Sequence, residues 1–95
     1  YYIYINPKYL KKGFSRDTIM LEFNNSGIPC FSGSCSEIYL EKAFSEFGYS
    51  ISKRLPVAKE LGETSLMFLI DPTLSEDDMS LVCKIGEKII SNASL

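Results

Sequence analysis

Ninety-five residues, 45% of them hydrophobic and including six Tyr and six Phe, suffice for one compact domain and not for two. A formal net charge of -2 offers no general attraction to nucleic acid or to an anionic membrane, and no apolar run approaches the roughly 18 to 20 residues that cross a bilayer.

Residues 1–5 are aromatic and β-branched throughout and read as a strand occupied on both faces, stopped by Asn6-Pro7. After a polar connection, Ser15 caps a helix predicted over 16–25. Its apolar stripe is Ile19, Met20 and Phe23, and Asn25-Ser26-Gly27 ends it. Residues 28–31 are apolar but entered through Pro29, which predicts an edge or irregular strand. A loop of small residues, 32–36, leads to a helix expected over 37–44, with Ser36 as its cap and Ile38, Leu40 and Phe44 as its buried side chains. Residues 47–54 lack periodicity and read as loop. Pro56 opens a short helix expected to close at Gly62.

Residues 65–70 are the clearest strand, short and almost uniformly apolar, stopped by Asp71-Pro72 and expected at the centre of the sheet. Ser75, followed by Glu76, Asp77 and Asp78, caps a last helix whose apolar repeat is Met79, Val82, Cys83, Gly86, Ile89 and Ile90. The expected fold is a single α+β domain over 1–95: a two-layer α/β sandwich with a small, mostly antiparallel sheet and helices on one face.

The chain contains no His, which removes His-assisted serine or cysteine hydrolysis, and three Cys without His cannot supply a four-ligand structural zinc site. No metal is expected. An odd Cys count without a secretory signal fits reduced thiols and a cytoplasmic protein. Cys30 and Cys83 read as small buried apolar groups, and Cys35 as the exposed thiol. The basic residues Lys8, Lys11, Lys12 and Arg16 read as a solvated connection. Glu60 and Glu63 read as a wet helix face.

Ligand contact is best sought in the loop at Ser32, Gly33, Ser34 and Glu37. There a glycine admits close backbone approach, and N–H and hydroxyl groups can meet sugar hydroxyls or a phosphate. The pattern is not that of a P-loop. Arg54 adds a planar fork suited to a carboxylate or phosphate.

Three stretches in order, 27–39 (GIPCFSGSCSEIY), 55–61 (LPVAKEL) and 65–76 (SLMFLIDPTLSE), resemble the C-terminal part of the DegT/DnrJ/StrS sugar aminotransferases of fold type I. The resemblance implies the small C-terminal domain of a pyridoxal-phosphate enzyme. Its large N-terminal domain would carry the Schiff-base lysine and most cofactor contacts, and its full-length form would be a homodimer. It implies amino transfer to a keto-sugar, usually nucleotide-linked, as in cell-surface polysaccharide or related amino-sugar synthesis. On this reading no catalytic or cofactor residue lies within the chain, no cofactor binds the fragment, and it is inactive alone. The loop after Gly27-Ile28 faces the sugar, and Tyr39 retains a downstream aromatic position. Phe31 to Cys35 replace the Tyr and His of many relatives, which points to a different sugar or a divergent subgroup. The alternative from composition alone is a free-standing α/β domain that binds a small metabolite through the Ser/Gly loop.

Overall fold

The computed structural model describes residues 1–49 and 51–95. Strands β1 (Tyr2–Tyr4), β2 (Cys30–Phe31) and β3 (Ser65–Phe68) form an antiparallel sheet in the order β1-β3-β2. The late apolar strand is therefore central, as its composition predicts. Backbone bonds from Tyr1 to Phe68 and from Ile5 to Thr64 carry the β1 edge beyond the strand proper to the full predicted span. Pro29 leaves β2 only two residues long, on the other edge.

Helices α1 (Arg16–Asn25) and α4 (Glu76–Ala93) pack against one face of this sheet. Both begin at the serine expected. Ser15 accepts from the Thr18 N–H and Ser75 from the Asp78 N–H, and the Thr18 and Asp78 side chains return the bond to the cap backbone. Register turns Ile3, Leu66, Phe68 and Cys30 toward the helices. There Ile19, Phe23, Leu66, Ile89 and Ala93 close a small core with Ile28 and Cys30. Phe23 meets Phe68 edge to face at 4.8 Å. The opposite face presents Tyr2, Met67 and Phe31 side by side across the three strands, with Tyr4 beside Ser65.

Between β2 and β3 the chain departs from the expected plan. In place of one helix over 37–44 there is a 3-10 turn, Ile38–Leu40, then the five-residue α2 (Lys42–Glu46), broken at Glu41 by an extended ψ of 142°. Ser36 caps neither piece, and Ile38, Leu40 and Phe44 are exposed. The reason is a competing use of Glu37, whose side chain is drawn inward to an arginine described below. Helix α3 (Pro56–Thr64) runs through Gly62 and passes directly into β3. A Cβ built on Gly62 would lie 2.1 Å from Ser36 Oγ, so the glycine admits the neighbouring loop and does not end the helix. Ser50, inside the stretch read as loop, lies outside the described residues.

Arg16 is not part of a solvated basic connection. Its side chain is only 16% exposed and donates to the carbonyl oxygens of Gly62 (3.2 Å) and Ser65 (2.9 Å), tying the end of α3 to α1. Cys83, expected inside, is exposed on α4, whereas Cys30 is buried and Cys35 exposed as expected.

Candidate substrate-facing loop

The stretch after β2 crosses the edge of the uncovered sheet face and is pinned there at several points. Ser65 Oγ donates to the Ser32 carbonyl oxygen at 2.6 Å. Gly33 takes φ +96°, and a Cβ at that position would lie 2.5 Å from Cε1 of the Tyr2 ring, so only glycine lets the loop pass beneath the tyrosine. The Ser34 N–H donates to Tyr2 Oη at 3.1 Å, and hydrogen bonding from the Ser34 side chain, then from this N–H, favours the phenolate and lowers the Tyr2 pKa. Both tyrosine and serine anchors lie on strands, where periodicity marked them only as sheet residues.

Glu37, Tyr39 and Arg54 converge into one cluster. Arg54 Nε donates to Glu37 Oε1 at 2.8 Å while its Nη2 donates to Oε2, a two-pronged pair. Tyr39 Oη donates to Oε1 at 2.6 Å and accepts the Leu55 N–H at 3.0 Å. The Arg54 bonds, then that of Tyr39, hold the Glu37 carboxyl down at about 2. Desolvation, then the bond to this carboxylate, push the Tyr39 hydroxyl up. Glu63 lies 3.8 Å from Arg54 and 3.0 Å from Lys59, so the acidic face of α3 joins the cluster. Leu55 opens α3 without a side-chain cap, and the tyrosine hydroxyl takes one of the donors at this end of the helix.

Sequence reasoning grouped Ser32, Gly33, Ser34, Glu37, Tyr39 and Arg54 as ligand contacts. The structure divides them into two sets. Ser32, Gly33 and Ser34 form a surface loop in which Ser34 is an exposed residue. Glu37, Tyr39 and Arg54 bond to one another as a brace between the loop and the start of α3, with the Arg54 side chain still 44% exposed. Cys35 points to Glu41, with Sγ 3.2 Å from Oε1, and that hydrogen bond raises the thiol pKa. Tyr2 and Ser65, the anchors missed, had no signal in the loop itself.

Beside the brace, an open groove of about 740 Å³ runs between the end of β1 and α3, lined by Tyr4, Ile5, Pro7, Pro56, Glu60 and Thr64 among others. Among the described residues no group of His, Cys, Asp and Glu is arranged to hold a metal ion. No helix of the structure is long and apolar enough to cross a membrane.

No family model matches the chain, and comparison with curated proteins returns no match. Among solved structures the chain is similar to an aminotransferase from Psychrobacter cryohalolentis. The two are 51% identical with a TM-score of 0.90, over 97% of this chain and 23% of that one. The chain thus spans about a quarter of the length of the aminotransferase it matches.

Proposed function

We propose that the chain is the part of an aminotransferase subunit that closes over its active site, with the loop at 32–36 turned toward the amino acceptor. The likeness to the Psychrobacter cryohalolentis enzyme, at 51% identity over 97% of the chain, carries this reading. The acceptor is a keto-sugar, usually nucleotide-linked, as the resemblance of residues 27–39, 55–61 and 65–76 to the sugar aminotransferases implies. In that role the hydroxyl of the exposed Ser34 and the backbone at Gly33 contact sugar hydroxyls. The Glu37, Tyr39 and Arg54 brace fixes where they stand.

Pyridoxal phosphate does not fit this chain as host. A Schiff-base lysine works as a neutral amine in a shielded pocket. Here Lys8, Lys11, Lys12, Lys42, Lys53, Lys84 and Lys88 are exposed, and Lys59, half-buried, is paired with Glu63. The cofactor and its lysine belong to the remaining polypeptide of the subunit, which supplies the electron-sink chemistry. This chain's own contribution is to bind and orient the acceptor and to exclude water. The full subunit is expected to be a cytoplasmic homodimer.

The test is the complete coding sequence and its product. A further two to three hundred residues or so, about what a large catalytic domain requires, with amino transfer from glutamate to a nucleotide-linked keto-sugar, is the expected result. A product that binds pyridoxal phosphate yet transfers amino groups only between amino acids would overturn the sugar assignment, and an open reading frame without such a domain would overturn the enzyme.

A further inference from the structure

The chain buries too little of itself. Its accessible surface is 7213 Å², against about 5,500 Å² for a folded monomer of this mass, and its radius of gyration is 16.0 Å against about 12 Å. Part of the excess lies in the arm between β2 and β3, where exposed large apolar side chains recur from Ile38 to Leu61. Neither α2 nor α3 packs extensively on the sheet or on α1 and α4.

Helix α3 shows the direction of the missing contact. It meets its own loop through a small residue, Gly62, which receives the Ser36 hydroxyl. Its large apolar residues Val57 and Leu61, one turn apart on a single face, are 65% and 41% exposed. Ile38, Phe47 and Tyr49 add 58%, 77% and 71% exposed apolar surface along the same arm. An amphipathic helix ordinarily turns its bulky side to its own core. This one presents Gly62 to its neighbouring loop and Val57 and Leu61 outward.

We infer that this arm, centred on Val57 and Leu61 of α3, is the surface on which the remaining polypeptide of the same subunit docks. The inference rests on the aminotransferase reading above. The matched enzyme leaves about three-quarters of its length outside the region shared with this chain, so an occupant of suitable size belongs to the same polypeptide. The size also agrees. The excess of about 1,700 Å² over the whole chain, of which the arm holds a part, sets an upper bound of roughly 3,400 Å² in total, a range that includes the 2,000 Å² and more typical of permanent, apolar interfaces. Two of the charges beside this helix face are neutralised, Lys59 by Glu63 and Arg54 by Glu37, which leaves a mainly apolar surface with Glu60 as the charge to be accommodated at its edge.

The experiment uses the full-length protein that carries this chain. Val57→Cys and Leu61→Cys are labelled with a maleimide under native conditions and read by peptide mass spectrometry, with Leu21→Cys on exposed α1 surface as reference. The two arm positions should label about tenfold more slowly or less than the reference, at every protein concentration. Labelling at the reference rate overturns the inference. So does protection that disappears on dilution to monomers, since the occupant would then be a second copy. Hydroxyl-radical footprinting of Phe47 and Tyr49 in the unsubstituted protein gives the same answer if a cysteine variant fails to fold. A protein that shields the arm yet transfers no amino group retains the docking surface and sinks the enzymatic reading; an active transaminase with an open arm does the reverse.

Discussion

Gly33→Ala is the sharpest perturbation of the loop. At φ +96° an L side chain costs about 1–3 kcal/mol of backbone strain. The new methyl would also lie 2.5 Å from Tyr2 Cε1 and 3.2 Å from Cζ, forcing the ring off the loop at an overpacking cost of about 1–2 kcal/mol. A total near 3 kcal/mol corresponds to an increase of about 100-fold in local opening of the β2 and loop unit. Cys30, 2% exposed at the start of that unit, is a native reporter. Pulsed alkylation followed by mass spectrometry of its peptide measures the opening directly. Repeating the substitution in a Tyr2→Ala background removes the ring, so the effect should fall to about tenfold, the backbone contribution alone. Equal effects in the two backgrounds would refute the steric part of the reasoning. No effect in either would refute all of it.

Gly86→Ala should act in the opposite direction. Gly86 lies inside α4, where a Cβ would meet the Phe23 ring at 3.4 Å, ordinary contact, so the gain in helix propensity should stabilise the chain by about 0.5–1 kcal/mol in urea denaturation. In the full-length enzyme, Arg54→Met or Glu37→Gln should raise KM for the acceptor several-fold while KM for the amino donor stays unchanged, and Arg54→Lys should rescue little because it lacks the planar fork. Unchanged acceptor kinetics would mean that the brace does not position the loop. Glu37 titrates at about 2 in the folded chain against an ordinary 4.5. Its stabilisation is therefore complete above the ordinary value and drains away as pH falls from there through the folded value. Amide exchange across residues 33–40, corrected for intrinsic rates, should be flat from about pH 5 through neutrality and rise on acidification below that window; a step near neutrality would contradict this assignment.

The elements legible in the sequence are those set by local rules. Ser15 and Ser75 marked two helix starts because a capping box is written within four residues. The position of β3 followed from an apolar run too short for a helix. What failed was the arm, where tertiary bonds override local pattern. Residues 37–44 carry helical spacing, yet Glu37 is held by Arg54, seventeen positions away, and the backbone breaks to allow it. Gly62 looked like a terminator because a glycine's use in close packing and its use in ending a helix are written identically. Arg16 looked solvated because the carbonyl oxygens it serves come from Gly62 and Ser65. The candidate loop was found by composition. Its anchors were not, since Tyr2 lies some thirty positions before it and Ser65 as far after it.

The strand order has a consequence for how the chain comes to be folded. β3 pairs with both other strands, and its partner Tyr4 precedes Ser65 by about sixty positions, so no part of the sheet can form until residue 68 has left the ribosome. Until then the nascent chain carries a β-prone YYIYI segment with no ladder to enter, while α1, capped locally, is free to form early. Synthesis rate and chaperone access over those sixty codons should therefore bear on yield.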